Sequence, residues 1–221
     1  MARRQNSHDK RKKVPKKQSS HGRRDRRQAE EAEIQSLESR IRSECNPKGA
    51  LGSRSKADKT DSKGVGKGPA LTRALFKDLP ISQRTLRGLE ASKYVKMTEI
   101  QSGAIPGALF GRDILGEART GSGKTLAFLI PVLEKLFRNR WSNLDGLGAA
   151  IVSPTKELAY QIFQVLSNVG QEHEISAGCI VGGRSIEEEQ KAVSTMSVLV
   201  ATPGRLLQHL DESPGFDAAS L

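Results

Sequence analysis

The sequence predicts an α/β fold, a mostly parallel sheet flanked by helices, and two observations carry that expectation. Short apolar runs alternate with helix-patterned stretches along the second half of the chain. One run, Asp113–Ala118, feeds directly into a glycine-rich turn and then a helix. Such alternation marks crossover units between parallel strands covered on both faces.

Taken in order, the elements begin with a basic tail. Residues 1–28 hold twelve Lys and Arg against Asp9 and Asp25, so nearly all of the formal charge of +11 sits there. Such a stretch is too charged and too poor in apolar groups to fold alone, and residues 1–70 are read as a disordered basic tail with a short helical segment and a linker. Lys10-Arg11-Lys12-Lys13-Val14-Pro15-Lys16-Lys17 has the composition of a nuclear import patch, or of a solvated arm with weak affinity for RNA. From Gln28 to Glu44 the pattern is helical, with Ile34, Leu37 and Ile41 on one face, able to dock on the domain or on a partner. Residues 46–69, rich in Gly, Ser and Lys, read as linker.

The folded part, residues 71–221, starts with helices expected over Ser82–Lys93 and Thr98–Phe110. The strands follow at Asp113–Ala118, Leu147–Ser153, Ser176–Val181 and Ser197–Thr202. Between and after them, helices are expected over Gly123–Arg138, Thr155–Val169, Ile186–Val193 and Pro203–Leu210. Cys45 and Cys179 stand far apart in no paired spacing, which suits a reducing compartment. The longest apolar run, Leu126–Leu133, is closed by Glu134, well short of the roughly 18–20 residues of a membrane span. A soluble, intracellular, monomeric protein is expected.

Arg119-Thr120-Gly121-Ser122-Gly123-Lys124-Thr125 carries the chemistry. Its glycines let backbone N–H groups converge on phosphate oxygens, and the following helix points its positive end at them. Lys124 would reach the terminal phosphates, and the Thr125 hydroxyl would help hold Mg²⁺. The usual pattern opens with Gly where this chain has Ala118, but the strand–loop–helix context stands. A nucleoside triphosphate is the expected ligand. Asp145-Gly146-Leu147-Gly148 fits a short GTPase pattern, yet no Asn-Lys-x-Asp accompanies it to read guanine.

Three further turns follow strands: Pro154-Thr155-Lys156-Glu157-Leu158-Ala159, Gly182-Gly183 and Thr202-Pro203-Gly204-Arg205. In a parallel sheet such strand ends lie along the same edge as the phosphate loop. Helix N-termini and open glycine turns ranged along that edge can hold a sugar-phosphate backbone. Singly, Thr155 and Thr202 read as ordinary N-caps, with Pro203 at the first helical position. Nine aromatic residues offer no long stacking platform, which favours backbone recognition without sequence preference.

Together these segments resemble the first RecA-like domain of DEAD-box RNA helicases over about residues 76–221. Ala118–Thr125 is similar to motif I, Pro154–Ala159 to Ia, Gly182-Gly183 to the glycine doublet and Thr202–Arg205 to Ib. Thr98-Glu99-Ile100-Gln101 is similar to the end of the Q motif, with Phe76 as its upstream aromatic. The resemblance implies that Gln101 reads adenine, that Phe76 packs near the base, and that Thr155, Gly183, Thr202 and Arg205 hold RNA phosphates. Thr98-x-x-Gln101 is equally a capping box. The stretch Gly116–Leu210 looks like the subgroup of nucleolar small-subunit ribosome assembly, which implies pre-ribosomal RNA, assembly proteins and a nucleolar location.

The chain departs from the family pattern at Lys93, Tyr94 and Met97, and at Lys156, where the family carries Arg. An ammonium cannot fork two hydrogen bonds to one phosphate. Hydrolysis needs an acid at a strand end. None stands at Ser153 or Thr202, and the resemblance places it in an Asp-Glu-Ala-Asp strand beyond Leu221. The expectation is therefore an ATP-dependent RNA helicase whose 221 residues alone do not hydrolyse ATP appreciably. A DNA helicase or remodeller on the same fold, and a short ATP- and RNA-binding product without hydrolysis, are the competing readings.

Overall fold

A computed structural model describes residues 20–46, 71–183, 185–216, 218, 219 and 221. The Lys10–Lys17 patch and all but Asn46 of the linker read over 46–69 lie outside the described residues.

Helix α1 (Ser20–Glu44) starts eight residues before the apolar spacing indicates. Arg, Gln, Ala and Glu are good helix formers, and no proline interrupts them. Its inner stripe meets the domain: Leu37 and Ile41 are buried and Ile34 is half-buried, with Ile41 and Cys45 joining the main core. A row of polar links flanks the stripe. Glu30 pairs with Arg84, Glu31 with Arg140 and Glu38 with Arg138. Glu33 accepts from the Gln83 backbone N–H at 2.7 Å, and Arg40 donates to the Asp78 carbonyl at 3.1 Å. Exposed ion pairs contribute about 0–1 kcal/mol each, whereas a buried Leu or Ile contributes about 1.5–3 kcal/mol. The stripe supplies the attachment and the charges set its register.

Strand β1 (Leu71–Leu75) pairs antiparallel with β2 (Lys96–Thr98), a small ribbon not foreseen in the sequence. Between them lie a 3-10 turn, Phe76–Asp78, and α2 (Gln83–Ala91), whose N-cap Ser82 accepts from Thr85 N–H. Helix α3 (Glu99–Leu109) follows β2 directly. Helix α4 (Lys124–Arg138) buries Leu126, Leu129, Ile130, Leu133, Leu136 and Phe137 against α3 and its neighbours.

The sheet holds three parallel strands, β3 (Ala149–Val152), β4 (Ala177–Ile180) and β5 (Val198–Ala201), in the order β3-β5-β4. Helices α5 (Lys156–Val169), α6 (Ile186–Val193) and α7 (Pro203–Glu212) connect and follow them. All four residues of β5 are buried, and its alternation serves two cores. Val198 and Val200 face the main cluster, while Leu199 and Ala201 face a second one with Leu147, Ile180, Val193 and Phe216. Period two thus covers the sheet on both sides.

One expected strand is corrected. Asp113–Ala118 is not a strand: Ile114 is 45% and Leu115 104% exposed. An apolar run becomes a buried strand only when neighbours take its N–H and C=O groups. Among the described residues none pairs with it, and β3 bonds on one side only.

Candidate nucleotide and nucleic-acid sites

The loop before α4 is shaped by glycines that no other residue replaces without strain. Gly121 and Gly123 have φ of 76° and 93°, a region that costs other L-residues about 1–2 kcal/mol. Any Cβ on Gly123 would also lie 2.5 Å from Gln101 Nε2. The Lys124 ammonium bends back over the loop, donating to the carbonyls of Ala118 at 2.5 Å and Arg119 at 2.9 Å. Arg119, Thr120 and Gly121 are exposed or half-exposed, while Ser122, Gly123, Lys124 and Thr125 are half-buried. Ser122 Oγ is buried without a hydrogen-bond partner. The first N–H groups of α4 have no intrahelical acceptor, as at any helix start. Anionic oxygens suit all of these donors. A polyphosphate fits the loop, with Lys124, Thr125 and the backbone N–H groups around Ser122 and Gly123 as its holders.

Gln101 is buried, and both ends of its amide are engaged. Its oxygen accepts from the Thr98 backbone N–H at 2.8 Å, and its nitrogen donates to the Gly123 carbonyl at 3.0 Å. The capping contact therefore exists, and the same side chain reaches the phosphate loop. Thr98 is buried beside it. Phe76 is 2% exposed within the main core, with its backbone N–H donating to Val95 at 3.1 Å. The ring is enclosed by core side chains instead of standing open at a surface. Tyr94, 39% exposed, is the ring that faces outward nearby in the chain.

The three strand-end turns come together. An open groove of about 660 Å³ is lined by Pro154, Thr155, Lys156, Glu157, Gly182, Thr202, Gly204, Arg205 and Gln208. Gly183 adjoins it at φ 106°, where a Cβ would sit 3.2 Å from Lys156 Nζ, and Pro203 is the first residue of α7. Thr155 caps α5 by accepting from Leu158 N–H at 3.2 Å, so its hydroxyl serves the helix that its turn opens. The N-termini of α5 and α7 both border the groove, and their positive ends favour anions there. Lys156 is exposed at the rim. Arg205 lines the groove as well, and is held from behind. It is 7% exposed and donates to Glu189 Oε2 and to Gln208 Oε1, each at 2.9 Å.

Glu157, Gln208, Glu189 and His209 carry no signal of their own in the sequence. Gln208 and His209 lie three and four residues after Arg205, the spacing of one helix face. Glu189 comes from another helix, and nothing local marks it. A second buried polar group is equally invisible there. The Glu134 carboxylate, fully buried in α4, accepts from Ser82 N–H at 3.0 Å, Ser82 Oγ at 2.7 Å and Thr85 Oγ1 at 2.5 Å. Thr85 Oγ1 also lies 2.9 Å from His173 Nε2. Burial pushes the Glu134 pKa up, against the pull of Thr85, Ser82 and Arg138. Burial, with Arg84 and Arg87 beside it, pushes the His173 pKa down to about 4. Neither group borders the two sites, and both tie α2 to α4. Among the described residues no group of three or more His, Cys, Asp or Glu is placed to hold a metal ion.

Comparison with known proteins agrees with this geometry. The family model described as DEAD/DEAH box helicase matches residues 98–221. A probable ATP-dependent RNA helicase ddx10 from Dictyostelium discoideum is 58% identical over 146 residues, covering 66% of this chain and 17% of that protein. The DEAD-box ATP-dependent RNA helicase 32 of Arabidopsis thaliana is 60% identical over 147 residues, covering 66% of this chain and 20% of its own length. The chain thus spans about a fifth or less of these relatives. A crystal structure of a DEAD box protein from the hyperthermophile Methanococcus jannaschii superimposes with a TM-score of 0.60 at 31% identity, over 66% of this chain and 39% of that one. With a glycine-shaped phosphate loop and three strand-end turns converging on one groove, and with that family model covering more than half of its residues, the chain belongs to the DEAD/DEAH box helicase family.

Proposed function

We propose that the chain is the ATP- and RNA-binding part of an ATP-dependent RNA helicase, working on pre-ribosomal RNA in the nucleolus. The observation that supports it most is the groove, where turns from three separate strand ends meet. Two helix N-termini, one lysine and two glycine turns there present donors suited to a sugar-phosphate backbone. Lys124 and Thr125 act at the other site, on the terminal phosphates. Mg²⁺, when bound, neutralises phosphate charge, with Thr125 as the chain's contribution to its shell. Lys124 exchanges the Ala118 and Arg119 carbonyls for phosphate oxygens. Gln101 and Thr98 brace the loop from behind, and reading of the adenine edge uses what remains of the Gln101 amide. The ribosomal assignment, and assembly proteins as further partners, rest on the resemblance of Gly116–Leu210 to that subgroup.

The test is a titration of the 221-residue chain with fluorescent ATP and GTP analogues and Mg²⁺, together with anisotropy on single-stranded RNA and DNA of equal length. ATP bound in preference to GTP, and RNA bound in a salt-sensitive way, is the expected result. Equal binding of both nucleotides, or no RNA binding at low salt, would sink the reading.

A further inference from the structure

Behind the groove, bonded to Arg205 of its lining, stands a carboxylate that simple electrostatics would not put there. Arg205 Nε donates to Glu189 Oε2 at 2.9 Å, and the same oxygen lies 3.0 Å from His209 Nε2. His209 is fully buried, and its Nδ1 lies 2.7 Å from Ser213 Oγ. The side chains of Arg205 and Glu189 are 6% and 11% exposed. The other carboxylate oxygen, Glu189 Oε1, is buried with no hydrogen-bond partner. One oxygen therefore serves two partners while the second serves none, a poor arrangement for stability alone. Buried ion pairs rarely recover the cost of taking both charges out of water, and an orphaned buried acceptor adds to that cost.

The arrangement is better explained by what it joins. Glu189 is on α6, which follows the Gly182-Gly183 turn. Arg205 and His209 stand one turn apart on α7, which opens at Thr202. Gly182, Thr202, Gly204 and Arg205 all line the groove. We propose that Glu189 is a positioning residue of the nucleic-acid groove: by fixing Arg205 and His209 on one oxygen, it locks the glycine turn and the start of α7 into a single strand-gripping surface. This rests on reading the groove as the RNA site. Gln208 extends the same lock, since its side-chain oxygen accepts from Arg205 Nη1 and its nitrogen donates to Glu212 Oε2.

The sign of the effect makes the proposal testable. A carboxylate near a polyanion repels it, so removing one should tighten RNA binding by charge alone. Glu188, exposed on the same helix, serves as that control. The 221-residue chain is titrated with a labelled oligouridylate by anisotropy, with a fluorescent ATP analogue, and by thermal melting. Glu188→Gln leaves RNA affinity unchanged or raises it. Glu189→Gln lowers RNA affinity by about 10-fold or more, at temperatures where the variant is folded, with ATP affinity unchanged. Arg205→Lys keeps the charge but cannot bond Glu189 and Gln208 together, and it gives a similar loss without depending on Glu189→Gln folding. The double variant is no weaker than the worse single one, because both act through one contact. RNA affinity that is retained or improved in Glu189→Gln overturns the proposal, as do parallel losses of ATP and RNA affinity, or additive losses in the double variant. If the unaltered chain binds ATP but no RNA at any salt concentration, the groove reading itself has failed.

Discussion

The side-chain nitrogen of Gln101 donates to the backbone carbonyl of Gly123 at 3.0 Å, while its oxygen accepts from Thr98 N–H at 2.8 Å. One amide therefore fastens the start of α3 to the bend of the phosphate loop. Gln101→Ala removes a capping contact of about 1 kcal/mol and a brace of the loop. A fall of a few degrees in melting temperature is expected, with nucleotide affinity lower by roughly 10-fold. Melting and a fluorescent ATP titration measure both, and unchanged affinity would detach Gln101 from the site. Gly123→Ala should weaken nucleotide binding by roughly 10-fold even combined with Gln101→Ala, because the positive φ and the approach to Thr98 Oγ1 remain.

Lys124 sits on the Ala118 and Arg119 carbonyls, within the loop it serves. Lys124→Ala should weaken ATP by about 10–100-fold, the worth of a charge-assisted contact to phosphate. Turnover should stay near background in both proteins, because Ser153, Val181 and Thr202, which follow β3, β4 and β5, supply no acid. Steady phosphate release that Lys124→Ala abolishes would show that a carboxylate within this chain does the work.

His173 gives the fold a dependence on acid. Its pKa is lowered from 6.5 to about 4, so between those values the unfolded chain holds a proton that the folded chain excludes. Its contribution is complete above about pH 6.5 and is lost as the pH falls to about 4, up to roughly 3 kcal/mol. Glu134 runs the other way: its raised pKa lets the folded chain keep a proton, and that contribution fades as the pH rises above 4.5. Urea midpoints of the unaltered chain and of His173→Gln, compared from pH 7.5 to 4.5, isolate the histidine. The stability difference between the two should shrink towards acid, and a constant difference would contradict the assignment.

Among the described residues, Lys156 is an exposed cation at the rim of the groove. Lys156→Ala should reduce the slope of log affinity against log salt by about 0.7, the share of one phosphate contact on a single strand. Lys156→Arg should tighten binding several-fold by offering a fork in place of a point charge. Anisotropy at a series of salt concentrations reads both, and an unchanged slope in Lys156→Ala would remove it from the strand contact.

Local chemistry is legible in the sequence and long-range pairing is not. The bounds of α4, α5, α6 and α7 fall within two residues of expectation, because Gly123, Thr155, Ser185 and Thr202 punctuate the chain. The three paired strands are legible for the same reason. Asp113–Ala118 reads as buried from its apolar content, but burial belongs to neighbours that a single segment does not specify. Glu134 closes an apolar run and looks like a surface residue, whereas Ser82 and Thr85, some fifty positions upstream, supply its donors. Gln101 carries two readings, capping and ligand contact, and spacing alone does not separate a side chain that caps its helix while also bracing the loop. Arg205 reads, by resemblance, as a phosphate contact, and its partner Glu189 announces itself only in three dimensions.

The way α1 lies on the domain makes its phase matter more than its composition. Glu30, Glu33, Leu37, Glu38, Ile41 and Cys45 all meet partners from one side of a single rod. Adding one residue between Ser36 and Leu37 would turn everything on one side of the insertion by about 100° relative to the other. Exchanging the exposed Arg42 beyond it would leave that alignment intact. Outside the buried stripe, change in this segment is therefore tolerated letter by letter, and not by length.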